Sequence, residues 1–121
     1  MSRLALPVAG ERFRLEAGES EADVTVVRLA DGLSVGRFEL ERDDGTITVR
    51  SLCIDEAERS YGAGSEAALL LVRAAEQGGF RRIRAWAHPK LGLSAYFWGR
   101  MGLRPLHGPG PEGGIWYERA K

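Results

Sequence analysis

The stretch Arg59-Ser60-Tyr61-Gly62-Ala63-Gly64-Ser65 sits between an apolar strand pattern, Ile47 to Ile54, and a long apolar helix pattern, Glu66 to Gln77. Glycine lacks a Cβ and reaches backbone conformations closed to other residues, so Gly62 and Gly64 let the chain turn sharply. A helix starting here leaves its first N–H groups unpaired, aligned with the positive end of the helix dipole. Such a surface suits a phosphate or pyrophosphate. The same Gly-x-Gly also fits a tight connection capped by Ser65. Residue identity excludes two known phosphate loops. The dinucleotide fingerprint needs a third glycine where Ala67 stands, and the Walker loop needs a Gly-Lys-Ser/Thr that the chain lacks.

Working outward, Glu66 to Gln77 carries Ala67, Leu69, Leu70, Leu71, Val72, Ala74 and Ala75, with Glu66, Arg73, Glu76 and Gln77 on one side. Gly78-Gly79 stops this helix, and Arg81 to Ala87 reads as the next strand, ended by Pro89. Strand 46–54, helix 65–77 and strand 81–87 form a crossover, which makes the two strands parallel. A second helix runs from about Leu91 to Met101 and closes at Gly102. Leu103 to Leu106 and Ile115 to Arg119 are two last strands around the Gly/Pro-rich segment His107 to Gly114. Upstream, Arg12 to Glu16 and Val24 to Leu29 read as strands. Asp31-Gly32 makes a two-residue turn into Leu33 to Glu41, and Asp44-Gly45 a second into Thr46 to Ile54. The expected fold class is α/β: a mixed sheet built of an antiparallel meander, a β-α-β crossover and a C-terminal hairpin, all in one domain, 1–121.

Composition narrows the function. A chain of 121 residues at 44% hydrophobic is one domain with a core of its own. Lys plus Arg and Asp plus Glu balance at 17 each, so charge points to neither nucleic acid nor membrane as a partner. Arg81, Arg82 and Arg84 read as a solvated strand face, and Trp86, Tyr96, Phe97 and Trp98 as core or cleft wall. The single cysteine, Cys53, excludes an internal disulfide framework and suits a reducing cytosol. One cysteine with two distant histidines, His88 and His107, offers no metal-ligand spacing. The N-terminus has no apolar signal core, and no run approaches the ~20 residues of a membrane span. The expected location is the cytoplasm.

The order of elements and the loop between them resemble the GNAT superfamily of acyl-CoA-dependent N-acyltransferases. Its signature, Arg/Gln-x-x-Gly-x-Gly/Ala, is matched by Arg59-Ser-Tyr-Gly62-Ala-Gly64. Ser51-Leu-Cys-Ile-Asp55 looks like the family's apolar strand end, and Tyr96 to Pro105 like its aromatic helix running into a Gly-Phe-Arg-Pro type sequence. The resemblance covers about residues 24 to 106. It implies that backbone N–H groups of Ser60, Tyr61, Gly62, Ala63, Gly64 and Ser65 bind the pyrophosphate of acetyl-CoA or another short acyl-CoA. Arg59 would reach the phosphates or pair with Glu58 or Asp55. Leu52, Cys53 and Ile54 would pair with the pantetheine arm as with an added strand. The Ile54 N–H would steady the oxyanion formed when an amine attacks the thioester.

The pattern departs in places. Trp98 stands where many members present a tyrosine that protonates the leaving thiolate, and it counts here among the cofactor-facing residues. Indole N–H donates a hydrogen bond but is no acid at neutral pH. Leu91 replaces a family-typical asparagine. Only Ala17 to Asp23 fills the place of two helices that build much of the acceptor site, so that site would be open or completed by a second copy in a homodimer. His88 and Glu39 are the candidate general bases, with water as the alternative. Cys53 reads as a small buried hydrophobe rather than a nucleophile. The expected function is N-acetyltransfer to an unidentified primary amine. The alternative is a non-catalytic acyl-CoA-binding or interaction module.

Overall fold

The protein was analysed as a computed structural model, which describes residues 3–20, 22–43, 45–55, 63–87, 98–99, 101–105 and 115–120. Its strands are β1 (Val8–Ala9), β2 (Phe13–Ala17), β3 (Asp23–Arg28), β4 (Ser34–Asp43), β5 (Thr46–Ile54), β6 (Arg82–Ala87), β7 (Arg104–Pro105) and β8 (Ile115–Ala120), and its long helix is α1 (Ala63–Gln77). They form one sheet in the order β1-β2-β3-β4-β5-β6-β8-β7. The pairing is antiparallel from β1 to β5, parallel between β5 and β6, and antiparallel again through β8 and β7. This is the meander, crossover and terminal hairpin expected from the sequence. β1 is an addition, since two residues are too few to show an alternating pattern.

Turn chemistry sets the hairpins. Gly45 has φ 84° between the paired residues Asp43 and Thr46, a left-handed position that a two-residue hairpin loop requires. The Asp31-Gly32 turn is longer than expected. Gly32 N–H donates to Arg28 O at 2.8 Å and Arg28 N–H to Leu33 O at 2.9 Å, so Leu29 to Gly32 forms a four-residue loop. Asp31 decides this by accepting from Arg28 Nε at 3.0 Å and from the Leu33 N–H at 3.1 Å. The Arg28 guanidinium first, and the Leu33 N–H next, hold the Asp31 carboxyl below the usual carboxylate range. That support is present above the ordinary carboxylate pKa and is lost as pH falls through the lowered value.

α1 buries Ala67, Ala68, Leu70, Leu71, Ala74 and Ala75, the i, i+3, i+4, i+7 stripe of an amphipathic helix. Four alanines on that stripe let the helix lie close to the sheet, against β1, β2 and β5. Leu69 falls on the solvent side with Arg73 and is 50% exposed. The helix ends in a Schellman motif. Phe80 N–H reaches Ala75 O at 3.0 Å, Gly79 N–H reaches Glu76 O at 3.2 Å, and Gly79 has φ 90°. The segment before β1 then crosses the helix end. Arg3 N–H donates to Gly78 O at 2.9 Å and Ala5 N–H to Ala74 O at 3.0 Å, and Leu4 is buried beneath.

Phe13, Leu15, Val24, Val26, Phe38, Ile47 and Ile83 complete the core under α1, joined by Trp98, Met101, Leu103 and Tyr117 at the other end of the sheet. Among the described residues the opposite face of the sheet is polar. Its ion pairs are Arg14–Glu16 at 2.6 Å, Arg37–Glu39 at 2.9 Å, Arg50–Glu41 at 2.9 Å and Arg84–Glu118 at 3.7 Å. The first three of these pairs are exposed and contribute about 0–1 kcal/mol each, so they solvate this face more than they stabilise it. β2 turns into β3 through residues 18–22, where Gly18 N–H donates to Asp23 O at 3.0 Å. Among its described residues that connection adds no helix over the polar face.

Candidate functional site

The geometry of interest lies at the C-terminal end of β5. The parallel pairing of β5 and β6 runs from Thr46–Arg82 to Val49–Ala85 and then ends. β5 continues to Ile54 along β4, while β6 continues to Ala87 along β8. The two strands therefore part at their C-terminal ends, and open sheets bind ligands at such ends.

A bulge causes the redirection. Glu39 pairs with Ser51 and Leu40 with Val49, so Arg50 is an extra residue in β5. Ile47 and Val49 face α1 before it, and Ile54, with Leu52 partly buried, faces α1 after it. The alternation has slipped by one. Cys53, expected as a buried hydrophobe, is therefore exposed on the polar face in the row Thr25–Arg37–Cys53. Strict alternation carried from Val49 would have buried it.

Gly36 is a residue that sequence reasoning missed. It pairs with Ile54, and a Cβ there would stand 2.5 Å from the Cys53 carbonyl oxygen and 3.2 Å from Ile54 Cα. Only glycine allows β5 to close this tightly on β4 at the end of the bulged strand. Replacing Gly36 with valine is expected to displace residues 52–54. We expect about 1–3 kcal/mol of lost stability, typical of overpacking, read by thermal unfolding. Unchanged stability would mean that this close approach is not formed.

A groove of about 570 Å³ opens on the polar face beside the end of β5, with Asp23, Thr25, Arg37, Cys53 and Asp55 in its wall. A second groove, about 590 Å³, lies at the far end of β5 around Asp43, Thr46 and Arg82, away from the parting strands. Asp55 N–H donates to Val35 O at 2.8 Å and ties the strand exit to β4.

The helix side of the site begins earlier than expected. α1 starts at Ala63, so Gly64 is its second residue and Ser65 its third, which places Ser65 inside the helix rather than at its cap. Arg59, Ser60, Tyr61 and Gly62 lie outside the described residues, as do His88, Leu91, Tyr96, Phe97 and the segment His107 to Gly114. Leu52, Cys53 and Ile54 all lie on the strand that leads to the loop. Glu39 is exposed on β4 two residues along from Arg37, whose guanidinium it accepts from at 2.9 Å. Trp98 is 6% exposed and belongs to the core with Met101, Leu103 and Tyr117. Its carbonyl accepts the N–H groups of Met101 and Leu103, both at 3.1 Å, closing the chain into β7. No helix of the described residues is long and apolar enough to cross a membrane.

This architecture is the fold of solved structures of GNAT-family acetyltransferases. A GNAT-family acetyltransferase from Bacillus anthracis superposes with a TM-score of 0.79 at 14% identity, over 95% of this chain and 98% of that one. A GCN5-related N-acetyltransferase from Brucella melitensis gives 0.78 at 18% identity, over 99% and 80%. An acetyltransferase from Bacillus subtilis, solved in complex with CoA, gives 0.71 at 11% identity, over 91% and 98%. No family model and no curated protein matches the sequence. The likeness is one of fold, and at these identities it assigns no substrate.

Proposed function

We propose that this chain binds an acyl-coenzyme A, acetyl-CoA in the first instance, and transfers the acyl group to a primary amine. The parting of β5 and β6 beyond Val49–Ala85, beside the start of α1, carries this reading. A pantetheine arm adds to β5 along Leu52–Ile54 as a further strand would. The pyrophosphate then meets loop 59–65 and the first turn of α1, where N–H groups and the helix dipole favour an anion.

The amine nitrogen attacks the thioester carbonyl carbon, and main-chain N–H at the end of β5, around Ile54, holds the oxyanion. The C–S bond breaks, the thiolate leaves and takes a proton, and the amine gives up its own to water, His88 or Glu39. The products are an amide and free coenzyme A. Glu39 accepts from Arg37 at 2.9 Å on the polar face. The amine approaches over the polar face, through the groove by Cys53 and Arg37, and a second copy docked there as a homodimer would wall the acceptor site. The cytoplasm is the compartment we propose.

The burial of Trp98 favours a second reading, a module that binds acyl-CoA without turnover. Calorimetric titration with acetyl-CoA and free coenzyme A, then an amine screen read by thiol release, separates the two. Micromolar binding with turnover supports the first reading. Binding without turnover across the screen supports the second, and no binding up to millimolar concentration sinks both.

A further inference from the structure

The polar contacts of Glu66 stand outside everything the proposed reaction uses. Glu66 is the fourth residue of α1, and its side chain leaves the helix for the turn between β1 and β2. Its Oε2 accepts the Phe13 N–H at 2.8 Å and the Arg12 N–H at 2.9 Å, while Oε1 faces Arg12 Nε at 3.5 Å. Gly10 makes room for it, because a Cβ there would lie 2.9 Å from Oε2. The Glu66 side chain is only 19% exposed, so its removal would leave the part-buried Phe13 N–H without its acceptor.

A carboxylate in the first turn of a helix suits the dipole, but it competes with any other anion drawn to that turn. Here the charge is turned away and answered by two N–H groups and a guanidinium. The geometry points to Glu66 as a positioning residue: it fixes the first turn of α1 against the β1–β2 turn, and so sets the affinity for the acyl-CoA pyrophosphate. This inference rests on the cofactor reading above. The opposite end of α1 is held by Arg3 and Ala5 on Gly78 and Ala74, so the N-terminal segment grips the helix at both ends.

The test compares Glu66→Ala, Glu66→Gln and Arg12→Ala with the wild type, by acetyl-CoA calorimetry and by hydrogen exchange of the amides at 67–70. Those amides bond back to the first-turn carbonyls and report its order without any ligand. Glutamine keeps one oxygen able to accept both N–H groups and gives up only the weak ion pair. The expected result is a loss of acetyl-CoA affinity of about tenfold in Glu66→Ala, a tenfold change being about 1.4 kcal/mol. Faster exchange at 67–70 accompanies it. Glu66→Gln and Arg12→Ala stay within about threefold of the wild type, on the same scale. Should Glu66→Ala fail to fold, Glu66→Asp, one methylene shorter, makes the same comparison.

Wild-type affinity and exchange in a folded Glu66→Ala overturn the clamp, and so does a glutamine variant as weak as the alanine. A wild type that fails to bind acetyl-CoA overturns the cofactor reading and, with it, the role of Glu66 in affinity. That outcome is distinct from a wild type that binds and an alanine variant that binds equally well.

Discussion

Replacing Gly64 with valine is expected to weaken acetyl-CoA binding by about a hundredfold or more, a loss of about 2.7 kcal/mol, while the apo domain stays folded. The reason lies in where Gly64 sits. It is the second residue of α1, with helical backbone, so no left-handed conformation demands glycine there. Glycine in a helix costs about 0.5–1 kcal/mol relative to alanine. A residue that costs stability and is not required by the backbone is explained by something that must come close, and a pyrophosphate on the first turn is such a group. Gly64→Ala should therefore raise the apo unfolding temperature by a few degrees and still weaken acetyl-CoA binding. The two effects have opposite signs, which a general structural role would not produce. Full affinity in Gly64→Val, measured by calorimetry, would remove the first turn of α1 from the cofactor site.

The second large effect is on stability. Replacing Gly78 with alanine is expected to dislodge the N-terminal segment, because the new Cβ would fall 1.3 Å from the Arg3 carbonyl oxygen. The Arg3 carbonyl carbon at 2.5 Å and the Ala74 oxygen at 3.0 Å are backbone too, so none of these atoms can swing aside as a side chain would. The segment gives up two hydrogen bonds, Arg3 to Gly78 and Ala5 to Ala74, at about 1 kcal/mol each. It also uncovers Leu4 and Val8, at roughly 2 kcal/mol for each apolar side chain. A loss of about 6 kcal/mol is a large share of a domain's usual 5–15 kcal/mol. Thermal unfolding should show a fall of about 15 °C or more, and deletion of residues 1–6 should reproduce most of it. A Gly78→Ala protein as stable as the wild type would mean that the segment is not seated on the helix end.

Much of this fold was legible in local pattern. The stripe Ala67, Leu70, Leu71, Ala74 and Ala75 has the helical period, Gly78-Gly79 stops it, and Gly45 carries the positive φ its hairpin needs. A strand, a helix and a strand in that order make a parallel pair, because a crossover allows little else. The Asp31-Gly32 turn is longer than the dipeptide alone suggests, because the Asp31 carboxylate and not the glycine sets the loop length.

What the chain alone determined is the strands β2 to β8, the helix α1 and their order, since each depends on residues a few positions apart. What only the tertiary structure decided is how these elements meet. The bulge at Arg50 turns Cys53 outward and Ile54 inward, and it exists only in the pairing of β5 with β4. Glu66 finds the Arg12 and Phe13 amides 54 and 53 residues away, and Gly78, just past the end of α1, finds Arg3 near the start of the sequence. Local period carries no record of such partners, because their contacts are fixed by the packing of the completed sheet against its helix.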